Sequence, residues 1–225
     1  MDETGPVPFL EALSPEARHG LDGMGTLRSF PTGSTILSEG ELANRVGIVR
    51  DGLVKLTATQ SDGYQTVLAL RGGGELLGEM SALDGSPRTA DVQALVPCAV
   101  QLVPAAEFVR FVQEQPSASM AVIRTLVGRL RESDHHRIQY GADGVPRRLA
   151  RQLLQLADTH GEVAADCSID ISLPFTQDDL AGVVSASRDA VARALKDWRA
   201  MGLVETGRRR VTLVDPAALS RLNSL

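Results

Sequence analysis

Apolar positions fall in short runs along the first half of the chain and at helical spacing along the second. Phe9, Leu10, Leu13 and Leu21 mark an amphipathic helix over roughly residues 7–25, with Ser14-Pro15-Glu16 as a helix-start signal. From Phe30 to Val103 the runs are short: Ser34–Leu37, Arg45–Val49, Leu53–Thr57, Thr66–Leu70, Val92–Leu95 and Ala99–Val103. Turn signals separate them: Pro31-Thr32-Gly33, Glu39-Gly40, Asp51-Gly52, Asp62-Gly63, Gly72-Gly73-Gly74 and Asp84-Gly85. Strands at this spacing predict an antiparallel sandwich or barrel. The two Asp-Gly pairs at 51 and 62 supply the positive φ of tight hairpins.

After Pro104 the period becomes helical. A short helix opens there and runs through Phe108 and Phe111, and Pro116 interrupts and restarts it. From Ser117 to Tyr140 the only helix breaker is Gly128, and Met120, Ile123, Val127 and Leu130 recur at spacings of three, four and three. That stripe fits the chain's own sheet or a partner helix; it outlasts what a small sandwich covers, so it predicts a homodimer. Gly141-Ala142-Asp143-Gly144-Val145-Pro146 is a break, and Arg147–Thr159 resumes as a helix. Cys167–Phe175 alternates and predicts a short strand.

Thr176-Gln177-Asp178-Asp179 is a capping signature ahead of Leu180–Val184. Ser185-Ala186-Ser187 is a tight turn, and Ser187 caps a second helix from Arg188 to about Met201, with Gly202 at its end. Two short helices across a three-residue turn make a helix-turn-helix. Arg188, Asp189 and Arg193 occupy the first turns of the second helix, the part that enters a major groove. Arginine grips guanine O6 and N7, and aspartate accepts from cytosine N4. Leu203–Leu213 reads as a hairpin whose tip holds Arg208, Arg209 and Arg210, a basic wing for phosphates.

Charge supports this division. A net charge of −5 opposes nucleic-acid binding overall, yet residues 1–140 carry all of it and residues 141–225 are neutral. Residues 185–210 hold seven basic and three acidic side chains, a local patch of +4, and local charge governs attraction to a phosphate backbone. No apolar run reaches the ~18 residues of a membrane span. The acidic, proline-broken N-terminus, Met1 to Pro6, resembles no export or transit signal. Cys98 and Cys167 are too few for a four-cysteine zinc or iron–sulfur site and predict two reduced thiols in a cytoplasmic protein. No nucleophile elbow, Walker loop, His-Glu-x-x-His or catalytic carboxylate pair is present, which speaks against an enzyme.

The sharpest candidate site is Leu77-Gly78-Glu79-Met80-Ser81-Ala82-Leu83 followed by Pro87-Arg88-Thr89-Ala90. Gly78 lets backbone approach a ligand. Glu79–Leu83 can form one helical turn with free N–H groups toward an anion. Arg88 can grip a phosphate, Glu79 can accept from sugar hydroxyls, and Thr89 offers a hydroxyl and an N–H. A surface turn with an incidental Arg–Glu pair is the plain alternative. Gly72-Gly73-Gly74 lacks a dinucleotide fingerprint and reads as an ordinary turn.

With these residues in view, the chain resembles the bacterial cyclic-AMP receptor / fumarate–nitrate regulator (CRP/FNR) family over about residues 8–215. The resemblance rests on Pro31-Thr32-Gly33 to Glu39-Gly40, Gly52-Leu53-Val54-Lys55, Gly78-Glu79 with Pro87–Ala90, Arg129-Leu130, and Ser187 to Leu195. It implies an α+β fold: a cyclic-nucleotide-binding β-roll (1–116), a dimerisation helix (117–140), a hinge (141–146) and a winged helix-turn-helix (147–225). It implies no covalent cofactor, cyclic AMP or a related nucleotide as effector, promoter DNA with an inverted repeat, and RNA polymerase as partner. By resemblance Gly78, Glu79, Met80, Ser81, Arg88 and Thr89 line the ribose–phosphate site, and Ser133 and Asp134 meet the purine. Thr176, Gln177, Ser187, Arg188, Asp189, Arg193 and the wing arginines meet DNA. Asp189-Ala190 stands where cyclic-AMP receptors usually have Glu-Thr, Ser185 stands where the turn is usually Gly, and Asp134 replaces a small hydroxyl residue. Asp134 has two readings: it accepts from an adenine amino group, or it pairs with Arg131 or Arg137. The iron–sulfur branch is excluded by cysteine count. A haem branch is unsupported, because adjacent His135 and His136 lie ~100° apart on a helix. Two other readings stay open: a regulator answering a cyclic dinucleotide or no ligand, and a ligand-binding module without DNA function.

Overall fold

The computed structural model describes residues 7–59, 65–207 and 209–224, side chains at 65, 135–142, 223 and 224 excepted. The Asp62-Gly63 turn, Arg208, and the side chains of His135, His136 and Arg137 therefore lie outside the described residues. The chain divides into two compact units, residues 1–64 with 68–136, and residues 137–225 with 65–67.

The first unit opens with α1 (Phe9–Ala12) and α2 (Pro15–Asp22). One amphipathic helix becomes two because Ser14 caps the second, its hydroxyl accepting from the Ala17 N–H at 3.2 Å, with Pro15 in the first helical turn. The strands are β1 (Thr26–Phe30), β2 (Thr35–Leu37), β3 (Arg45–Asp51), β4 (Val54–Thr59), β5 (Gln65–Arg71), β6 (Leu76–Leu77), β7 (Asp91–Ala94) and β8 (Cys98–Pro104). They form two four-stranded sheets, ordered β1-β8-β3-β6 and β2-β7-β4-β5. After β6 comes α3 (Glu79–Asp84), and after β8 come α4 (Ala105–Glu114) and the first part of α5 (Pro116–Ala142).

The apolar runs are explained by burial on two faces. Along β3, Val46 and Ile48 pack with Phe9, Leu21, Phe108 and Ala121 under the helices. Val49, from the same strand, joins Leu37, Val54, Leu77, Val92 and Val100 between the sheets. A strand covered on both sides needs apolar residues at successive positions, so it reads as a continuous run. Gln101 is a buried polar residue on β8. Its Nε2 donates to the Leu21 and Met24 carbonyls at 2.8 and 2.6 Å, and its Oε1 accepts from Arg50 Nε at 2.9 Å. A buried amide so fully paired costs little.

The second unit contains α6 (Val145–His160), α7 (Gln177–Val183), α8 (Arg188–Ala200) and α9 (Pro216–Ser224). Its sheet is ordered β11-β12-β10-β9, from β9 (Glu162–Val163), β10 (Ile169–Ile171), β11 (Val204–Gly207) and β12 (Arg210–Leu213). Leu149 and Leu153 of α6, Leu180 of α7, Val191, Leu195 and Trp198 of α8, and Leu213 and Leu219 are buried. The break between α5 and α6 is only Asp143-Gly144, narrower than the six residues expected, because α5 runs on to Ala142 and Pro146 sits in the first turn of α6, where it costs no hydrogen bond. The strand expected over Cys167–Phe175 shrinks to Ile169–Ile171, with Cys167 in the left-handed region at φ 65°.

Candidate ligand cassette and nucleic-acid interface

The cassette forms where β6 turns into α3. Gly78 takes φ 71° and ψ 19°, the left-handed conformation that glycine adopts without strain. It also has no room for a side chain: a Cβ there would lie 1.9 Å from Arg88 Nη1 and 2.9 Å from Leu37 Cδ1. The Arg88 guanidinium thus lies directly on the Gly78 backbone.

Arg88 is only 5% exposed. Its Nη2 donates to the Arg45 carbonyl at 2.6 Å, and its Nη1 makes a long contact of 3.5 Å to the Gly78 carbonyl. Its Nε is buried with no hydrogen-bond partner. Burial lowers its pKa, opposed by the charges of Glu41 and Glu79 and reinforced by Arg45. A buried guanidinium with spare donors fits an anion such as phosphate.

Glu79, 2% exposed, begins α3. Its Oε1 is paired with Arg129 Nη1 of α5, and Arg129 Nη2 donates to the Leu76 carbonyl at 2.7 Å. Three residues on, Glu132 lies 3.6 Å from Arg71 Nη2, and Arg71 also meets Glu75 at 3.3 Å. Burial pushes the Glu75 carboxyl up, against the pull of Arg71, the Gly72 N–H and Arg129. Two ion-paired rungs therefore join α5 to the start of α3 and the end of β5. Arg129 is the ion-pair partner of Glu79 that the reading of the cassette motif did not include. The signal was available: a carboxylate set in an apolar run needs a cation, hydrogen-bond donors or a proton when buried.

The structure brings Gly78, Glu79 and Arg88 together and buries Ser81, whereas Met80 and Thr89 are exposed. Ser133 and Asp134 are exposed on α5. The same helix buries Ala118, Ala121 and Val122 in its own core, while Met120, Ile123, Val127 and Leu130 (61%) stay exposed. The apolar stripe therefore does not lie on the unit's own core.

In the second unit the caps form as the residue types require. Thr176 Oγ1 accepts from the Asp179 N–H at 3.0 Å, and Asp179 Oδ2 accepts from the Thr176 N–H at 2.9 Å. Ser187 Oγ accepts from the Ala190 N–H at 3.2 Å and opens α8. Gln177, Ser187, Arg188, Asp189 and Arg193 are exposed, opposite the buried Val191, Ala194, Leu195 and Trp198. Arg188 Nε lies 4.0 Å from Asp178 Oδ2. Ser185, where glycine was the expected residue, takes φ 49°. Arg209, also left-handed at φ 58°, is exposed at the wing tip. Arg210 is not free there: its Nε donates to Asp170 Oδ1 on β10 at 2.7 Å.

A helix-turn-helix with a wing, in one chain with a two-sheet unit and a long helix, is the build of a DNA-binding regulator. Residues 27–115 match the cyclic nucleotide-binding domain family, and residues 147–222 match the Crp-like helix-turn-helix domain family. The chain is 30% identical over 192 residues, 85% of each chain, to the CRP-like cAMP-activated global transcriptional regulator of Mycobacterium tuberculosis. It is 26% identical over 215 residues, 96% of each chain, to the cyclic AMP receptor protein of Thermus thermophilus. A crystal structure of a CRP-family transcriptional regulator from Thermus thermophilus matches with TM-score 0.75 and 26% identity, covering 88% of this chain and 97% of that one. The chain belongs to the CRP/FNR family of bacterial transcription regulators, a family of DNA-binding regulators and not of enzymes. No helix among the described residues is long and apolar enough to cross a membrane.

Proposed function

We propose that this protein is a homodimeric, cyclic-nucleotide-responsive regulator that binds inverted-repeat promoter DNA in the cytoplasm and acts on RNA polymerase there. The observation that carries the reading is Arg88: buried over Gly78, with an unpartnered Nε. Arg88 would hold the cyclic phosphate, Glu79 the ribose hydroxyls, and Ser133 and Asp134 the base edge. Met80, Ser81 and Thr89 would complete the wall. The exposed stripe Met120, Ile123, Val127 and Leu130 supports dimerisation. One named relative is called cAMP-activated and the other a cyclic AMP receptor protein, which favours adenine. So does Asp134, because adenine presents an amino donor where guanine presents O6.

Calorimetric titration with cyclic AMP, cyclic GMP and a cyclic dinucleotide tests this, run in parallel on Asp134→Ala. The expected result is preference for cyclic AMP in the wild-type protein, a smaller cyclic-AMP to cyclic-GMP ratio in the variant, and a more stable unliganded variant dimer. A variant with an unchanged ratio and a weaker apo dimer would assign Asp134 to an ion pair with Arg131 or Arg137. No heat with any of the three would reject the nucleotide reading.

For DNA, Thr176 and Gln177 would meet the backbone beside the turn, and Ser187, Arg188, Asp189 and Arg193 would enter the groove. Arg188→Ala and Arg193→Ala should each cost about 1–3 kcal/mol on a selected site and relax base preference locally. Arg209→Ala should weaken binding to all sequences alike and flatten the salt slope. Arg210, tied to Asp170, should matter less than Arg209. Binding measured over a salt series separates these classes. A selected site without two-fold symmetry would contradict the dimer.

A further inference from the structure

The turn of the helix-turn-helix is held from outside by one side chain. Arg148, in the first turns of α6, donates from Nε to the Val184 carbonyl at 2.8 Å and from Nη2 to the Ser185 carbonyl at 3.1 Å. Val184 is the C-terminal cap of α7, where carbonyls point out of the helix and draw a cation. Ser185 is the strained residue, at φ 49° without being glycine. The third contact runs elsewhere: Arg148 Nη1 donates to the Asp143 carbonyl at 2.5 Å. Asp143 opens the break before α6, and its carboxylate takes Arg147 Nη1 at 3.2 Å and Arg151 Nη2 at 2.8 Å. A planar fork of five donors can span carbonyls of two separate segments, as a single ammonium cannot.

We propose that Arg148 is a positioning residue for DNA reading, setting the turn that aims α8 and tying that turn to the Asp143-Gly144 break. The side chain need not touch DNA. It holds the two carbonyls around which the chain reverses, three residues before Arg188. A left-handed serine is uncommon and carries strain, and Arg148 holds the carbonyl of this one. Because the same guanidinium holds the Asp143 carbonyl, a rearrangement of the break reaches the turn through one residue. The proposal rests on the reading of α8 as the helix that enters the groove.

The test uses the full-length chain with cyclic AMP present throughout. Affinity is measured for a duplex obtained by in vitro selection and for a scrambled duplex of equal length, over a salt series. Arg148→Met should lose at least tenfold on the selected duplex while binding the scrambled one within twofold of wild type, with the same salt slope. Arg148→Lys should recover part of that selectivity. Equal losses on both duplexes would make Arg148 a phosphate contact or a structural residue and overturn the proposal, as would no loss on either. If Arg148→Met does not fold, Arg148→Lys decides: a folded Lys variant with full selectivity overturns it. Arg188→Ala separates the two readings. If Arg188→Ala loses selectivity and the Arg148 variants keep it, the positioning role alone fails. If Arg188→Ala keeps it, α8 is not the reader and both fall.

Discussion

Glu79→Ala should destabilise the sensor unit by about 3–5 kcal/mol, because it strands a buried cation. Glu79 is 2% exposed and the paired Arg129 side chain 15%, so the lost carboxylate leaves a poorly hydrated guanidinium. The size of the effect comes from the charge left behind, not from the worth of the pair. A double replacement, Glu79→Leu with Arg129→Met, should therefore regain most of the loss, since apolar groups of similar volume often substitute neutrally for a buried ion pair. Chemical unfolding of both single variants and the double variant gives the coupling directly. A Glu79→Ala protein that unfolds at the wild-type midpoint would show that the pair carries no such weight. Glu79→Gln should be milder, as the amide still offers an oxygen to Arg129.

Arg88→Ala should lower cyclic-nucleotide affinity at least tenfold and leave the chain folded. A charge-assisted hydrogen bond to phosphate contributes roughly 1.5–3 kcal/mol, and a factor of ten is about 1.4. Folding should tolerate the change because Arg88 is itself a buried charge whose Nε is unpaired. Its removal relieves a desolvation cost while leaving the Arg45 carbonyl without its 2.6 Å donor. Calorimetry gives the affinity and a thermal melt establishes folding. Unchanged affinity in a folded variant would remove Arg88 from the site.

Much of the architecture was legible because its signals are local. Asp51-Gly52, Pro104, Pro116, the Thr176–Asp179 box and the Ser187 cap each dictate backbone geometry within four residues. Strands with both faces buried announced themselves as apolar runs. β1 did not, because Thr26–Phe30 is mostly exposed and becomes a strand by pairing with β8 from Leu102 back to Cys98. The two-residue β6 was too short for any pattern, and α9 was not anticipated. The site divides the same way. Gly78, Glu79 and Arg88 lie within eleven residues of each other and could be read together. Arg129 lies fifty residues from Glu79, and no local rule says which arginine a buried carboxylate will meet. At the wing, three consecutive arginines read as one basic tip, and the structure adds that Arg210 also donates to Asp170, forty residues back.

Ligand and DNA binding should be thermodynamically coupled in this chain. The most direct measurement is the affinity of the full-length protein for one selected duplex, with and without saturating cyclic AMP, at fixed salt. Coupling between two sites typically amounts to about 5–150-fold in affinity. The two binding curves should separate within that range, and by reciprocity nucleotide affinity should shift by the same factor when the duplex is present. Superimposable curves, with cyclic AMP shown by calorimetry to be bound, would contradict it.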